Sequence, residues 1–148
     1  MKRTAFTMIE LVFVIVILGI LAAVAIPKLA ATRDDAVNSG LAQNIVGGAG
    51  EIAAYATANG QVLDDLTLMS NGMKTLVDTG AGVSTSKKMT VTRGADSECV
   101  VVEIVTSGGI DTLTISTSSS SDPKCLILQS LIDTSTYPMV LRGTNVVL

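Results

Sequence analysis

From Phe6 to Ile26 the chain runs 21 residues with one charge, Glu10, and the 16 residues from Leu11 to Ile26 carry none. As a helix rising about 1.5 Å per residue, that run spans roughly 30 Å, the thickness of a bilayer's hydrocarbon core. Nothing else in the 148 residues constrains the fold as strongly. The remainder is long enough for one modest domain attached to this helix. Lys2 and Arg3 precede the run, and Lys28 and Arg33 follow it in company with Asp34 and Asp35. The basic pair at the start predicts a cytoplasmic N-terminus.

Glu10 sits where a membrane tolerates it least. A carboxylate within a spanning helix costs on the order of 3 kcal/mol on insertion scales. Three readings of the N-terminus compete. The first is a secretory signal peptide with Ala23-Val24-Ala25 as its cleavage site, releasing a soluble binding domain that starts at Ile26. The second is a plain uncleaved anchor. The third is a leader cut ahead of the apolar run. Neither an anchor nor a signal peptide gains anything from Glu10. If MKRTA is removed after Ala5, Phe6 becomes the first residue with a free ammonium, and Glu10 lies one helical turn on. An ammonium and a carboxylate neutralise each other in apolar surroundings.

The stretch AFTMIEL, followed at once by Val, Ile, Leu and Ala, resembles the class III leader of type IV pilins and type II secretion pseudopilins. The resemblance covers about residues 1 to 58. It implies that a prepilin peptidase cuts between Ala5 and Phe6 and methylates the new amine. It also implies that Glu10 pairs with the Phe6 amine of an adjacent subunit during assembly. Two positions depart from the pattern: Ala5 stands where Gly is usual, and Met8 where Leu is usual. Both substitutes keep the small or apolar character of the site.

Gly19 and Pro27 lie eight residues apart in the same predicted helix. Pro removes a backbone hydrogen bond, and Gly costs about 1 kcal/mol relative to Ala. Close packing at Gly19 and a surface kink at Pro27 account for both. The resemblance implies a second use, loss of helix between them in the assembled filament. Beyond Pro27, Val37, Leu41, Ile45, Ile52 and Ala56 recur at helical spacing, with Ala49 and Ala53 filling the stripe. Gly47, Gly48 and Gly50 predict bending or close backbone contact. Asn59-Gly60 is a helix stop. The expected division is a leader at 1–5, a helix at 6–58 with 6–26 spanning the membrane, and a head at 59–148.

In the head, residues 61–82 read as a connecting loop with a short helix near 72–77. Met89–Val91 and the β-branched ECVVVEIVT (98–106) read as strands. Ser107-Gly108-Gly109 is a tight-turn signal, and 110–117 alternates, with Leu113 and Ile115 on one face. STSSSSD (116–122) is a polar loop, either plainly solvated or an acceptor for O-glycosylation. Residues 125–128, 139–141 and 146–148 are further short strand candidates. The fold class expected is α+β and pilin-like: a long N-terminal helix packed on a small antiparallel sheet.

A net charge of −3 and no Lys/Arg run argue against nucleic-acid binding by bulk electrostatics. The chain has no His, which removes the Ser-His and Cys-His pairs and His-ligated metals. No nucleophile–base pair and no phosphate-binding Gly loop between strand and helix is present, so no enzymatic activity, cofactor or metal site is expected. Asp34-Asp35 and Asp64-Asp65 are neighbours that point apart on a helix and rarely chelate alone. Cys99 and Cys125, 26 apart, form no C-x-x-C. In an exported domain they predict one disulfide, and in a reducing compartment two buried thiols.

The expected function is therefore a structural filament subunit, a homo-oligomer. It waits in the inner membrane with its N-terminus in the cytoplasm and meets a prepilin peptidase and an assembly platform. A pseudopilin of secretion or DNA uptake is the first alternative. The destination is an extracellular pilus in one case and a periplasmic pseudopilus in the other. The soluble domain cut after Ala25 is the second alternative.

Overall fold

A computed structural model describes residues 6–142, and for Arg142 the backbone alone. The leader with Ala5 and the strand candidate at 146–148 lie outside the described residues. The chain divides into two compact units, Met1–Ala36 and Val37–Leu148. One helix, α1 (Met8–Asn59), crosses the division.

Within the first unit every described side chain of the apolar run is exposed. The helix is long and apolar enough to cross a membrane, with a mean hydropathy of 3.1 over its best window. It continues without a break through Gly19 and Pro27.

In the second unit α1 buries Asn38, Leu41, Ala42, Ile45, Gly48, Ala49, Ile52 and Ala56. This is the three-and-four spacing of a core-facing stripe. Val37, expected on that stripe, is exposed. The helix ends as its sequence requires. Gly60 takes φ +66° and donates its N–H to Ala56 O at 2.9 Å, while Asn59 Nδ2 donates to Tyr55 O.

The connection after α1 holds a 3₁₀ turn at Leu66–Leu68 and α2 (Asn71–Asp78). Ser70 caps α2, accepting from Met73 N–H, and donates its own hydroxyl to Glu51 on α1 at 2.7 Å. Of the three glycines expected to make close contact, Gly48 does, against Gly72 of α2. A Cβ on Gly72 would stand 2.6 Å from Asn44 O and 3.0 Å from Gly48 Cα. Only two glycines let α2 reach this depth against α1.

Five strands follow: β1 (Gly82–Thr85), β2 (Lys88–Arg93), β3 (Asp96–Ser107), β4 (Ile110–Thr117) and β5 (Met139–Arg142). They form an antiparallel meander in sequence order. Met89, Val91, Val100, Val102, Ile104, Leu113 and Ile115 pack with the α1 stripe, Leu66, Met73 and Leu76 into one core. Gly108 and Gly109, at φ +58° and +80°, close the β3–β4 hairpin with Ser107 opposite Ile110. Between Val91 and Arg93 the register shifts, setting Thr92 against Ser97, Glu98 and Cys99. That irregularity lets the neighbours Cys99 and Val100 both be buried.

One expected strand is a helix. Residues 125–128 lie in α3 (Pro123–Ser130). Asp122 accepts from Lys124 N–H at 2.8 Å as N-cap, and Pro123 opens the first turn without needing a donor. Cys125, Leu128 and Ile132 then face the core.

Candidate functional site

The first described residues of the apolar run carry the chemistry. Phe6 precedes α1 and is exposed. Thr7 O accepts from Leu11 N–H, the first bond of the helix, which makes Thr7 the N-cap. Its N–H donates to Glu10 Oε2 at 2.9 Å, and its hydroxyl donates to the same oxygen at 2.6 Å. Glu10 N–H returns a bond to Thr7 Oγ1 at 3.4 Å. This is a capping box, in which the side chains of the cap and of the third helical residue satisfy each other's backbone donors. Glu10 also sits at the positive end of the helix dipole.

Thr7 belongs to the leader pattern AFTMIEL, and its capping role is what the reading of the N-terminus missed. The signal was present: T-x-x-E ahead of an apolar run is the sequence form of the box. The capping role gives Glu10 a local partner in the isolated chain.

Gly19 and Pro27 are ordinary helical positions of α1, and a Cβ on Gly19 would meet nothing within 4 Å. Cys99 on β3 and Cys125 on α3 are joined in a disulfide, with Cα atoms 5.7 Å apart. Gln129 supports the joint. Its amide donates to Cys99 O at 2.9 Å and to Ser118 O at 3.0 Å, tying α3 to the ends of two strands. The serine loop is held on the same side. Asp122 accepts from Ala95 N–H, and Ser120 donates to Asp96. Among the described residues no group of three or more Cys, Asp or Glu side chains is gathered to hold a metal ion. Asp65 caps the 3₁₀ turn and accepts from Ser84, and its partners Thr67 and Ser84 hold its carboxyl below the usual range.

The N-terminal sequence matches a known motif. Residues 1–26 carry the prokaryotic N-terminal methylation motif. This motif is the class III prepilin leader of type IV pilins and pseudopilins. No curated protein and no solved structure matches the chain. The motif takes in Glu10 and the uncharged run that follows it to Ile26. It fits anchoring in an inner membrane through α1, and pilin-type proteins are structural.

Proposed function

We propose that the chain is a structural subunit of a type IV pilus-like filament. Prepilin peptidase cuts between Ala5 and Phe6 and methylates the Phe6 amine. The product stays in the inner membrane through residues 6–26, with its head, from residue 59, outside the cytoplasm. An assembly platform then builds the subunits into a helical homopolymer whose core is α1. One observation carries this reading: the methylation motif ends in a helix whose first turn holds Glu10 and whose next 16 residues are uncharged and exposed. Each subunit brings one amine and one carboxylate. In a filament core, Glu10 exchanges its Thr7 partners for the neighbour's ammonium, a charge-assisted pair that an apolar setting strengthens. Removal of Lys2 and Arg3 with the leader takes the net charge from −3 to −5. Between Gly19 and Pro27 the helix is weakest by composition, and loss of helix there lengthens the stem in the filament.

The same motif serves pseudopilins, so a short periplasmic filament is the second reading. Two measurements test both. Intact mass and N-terminal sequencing of the protein from its own cells should give a chain starting at methylated Phe6. A start at Ile26 instead makes Glu10 part of a discarded signal peptide and removes the filament reading. Electron microscopy of sheared surface material then separates the two readings. Abundant long fibres made of this chain mean a pilus, and their absence beside a membrane-bound processed subunit means a pseudopilus.

A further inference from the structure

A groove of about 290 Å³ runs between α1 and α3, lined by Ser39, Ala42, Gln43, Val46 and Leu131. None of these side chains is charged. The outer side of α3 extends it. Cys125, Leu128 and Ile132 turn inward, which leaves Leu126, Ile127 and Leu131 at 48, 40 and 48 % exposure, with Leu131 lining the groove beside Val46 at 43 %. The α1 ridge bordering the groove is unusual in another way. Gly40 and Gly50 have nothing within 4 Å of where a Cβ would stand, and a Cβ on Gly47 would touch only Gln43. Positions 40, 43, 47 and 50 follow one side of the helix. Each glycine weakens the helix, and no contact inside the subunit requires it.

We propose that this face, α3 Leu126, Ile127 and Leu131 with α1 Val46 and its glycine ridge, seats a second copy of this chain within the filament. The inference rests on the filament reading above. Charge selects the occupant. Residues 37–148 hold ten acidic and six basic side chains, so copies meeting elsewhere bring like-charged surfaces together. A face whose groove is uncharged and whose α3 side carries an exposed cation, Lys124, is where two copies of an acidic chain approach without that cost. A basic protein would be drawn to the acidic surfaces instead. Size points the same way. Four half-exposed aliphatic side chains fall well short of the roughly 800 Å² per partner that a stable pair buries. Such a contact holds only between copies already tethered by another one, where the effective concentration is high. Polymerisation through α1 provides that tether, and the missing Cβ atoms let the neighbour's backbone come close.

The test places a photoactivatable benzophenone side chain at position 131, and separately at 127, in the full-length chain in its own cells. Irradiated filaments should yield adducts of twice the subunit mass, with both halves identified by mass spectrometry as this chain. Adducts with lipid or with a different protein, or no adduct in filaments that do form, overturn the inference and leave the filament reading standing. A native chain that forms no filament overturns both. As a second arm, Leu126→Glu with Leu131→Glu should leave membrane level and disulfide formation unchanged and lower filament yield at least tenfold. Native yield from that variant also overturns the inference. If it fails to fold, the cross-linking result decides.

Discussion

Thr7 and Glu10 hold each other: two hydrogen bonds, at 2.9 and 2.6 Å, run from Thr7 to one carboxylate oxygen of Glu10. The acid therefore has two separable uses, as a helix cap in the isolated subunit and as a counter-charge in the proposed filament. Glutamine serves at the third helical position of a capping box as well as glutamate does, but carries no charge. Glu10→Gln is expected to keep the cap, the fold and membrane insertion, and to reduce assembled filaments at least tenfold. Glu10→Ala is expected to lose both cap and filaments. The measurement is sheared-filament yield against membrane-fraction subunit, by immunoblot. If Glu10→Gln assembles normally, the cap is what matters and the charge pairing is wrong.

Glycines on α1 and α2 divide into two kinds, and substitution tells them apart. At Gly40 and Gly50 an added Cβ meets open space. Ala there should raise the stability of the unassembled subunit by up to about 1 kcal/mol each, through helix propensity alone. At Gly72 the added Cβ would press on Asn44 O and Gly48 Cα. Gly72→Ala should cost about 1–3 kcal/mol, the usual range for overpacking against backbone that cannot yield. Thermal unfolding of the detergent-solubilised chain reads both. Destabilisation by Gly40→Ala or Gly50→Ala would mean that the ridge is packed in the subunit itself.

The disulfide joins residues 26 apart and closes a loop that contains most of β3, all of β4, the serine loop and the start of α3. On the chain-entropy account a loop of that size is worth about 3 kcal/mol. Cys99→Ala with Cys125→Ala should lower stability by about that amount. α3 should still dock, since Gln129 keeps its bonds to Cys99 O and Ser118 O. Denaturant unfolding should show an earlier midpoint with native far-ultraviolet dichroism before the transition. Loss of helix signal in buffer would mean that the disulfide alone holds α3.

How far these features were legible depended on whether local pattern and tertiary need agreed. The apolar run was legible from its unbroken length, and the stripe from Leu41 to Ala56 from its helical spacing. The β3–β4 hairpin was readable because β-branched runs flank two glycines that take positive φ. β1 was not. Its turn places Lys87 at φ +55°, a conformation that its residue type does not announce. That conformation is held from outside, by Lys87 N–H to Asp64 O and by Ile104 N–H to Lys87 O. α3 was misread because Cys-Leu-Ile-Leu suits a strand as well as a helix. Asp122 and Pro123, a cap followed by a first-turn proline, were the deciding signal. At the N-terminus, T-x-x-E announces the partnership of Glu10 with Thr7 as plainly as the apolar run announces the cost of its charge.

Acid should loosen the head before neutral conditions do. Gly72 N–H and the Ser70 hydroxyl hold Glu51 below its ordinary 4.5. Asp65, Asp122 and Asp133 lie below their ordinary 3.8, held by Thr67, by the N–H groups of Ala95 and Lys124, and by Ser135 respectively. In each case the folded carboxylate resists protonation more than the unfolded one. The contribution to stability is complete above the ordinary values and is lost as pH falls through and below them. All four carboxylates are solvent-facing, so each effect is small and weakens with salt. Tyr137 works in the opposite range. Burial raises its phenol above 10.0, so its contribution is present below that value and is lost as pH rises past it. Denaturant midpoints should be level between pH 5 and 9 and decline below about 4.5 and above about 10. Glu51→Gln should flatten part of the acid limb, because the amide oxygen still accepts from Gly72 and Ser70 but no longer titrates. An unchanged acid limb in that variant would place the sensitivity in the three aspartates.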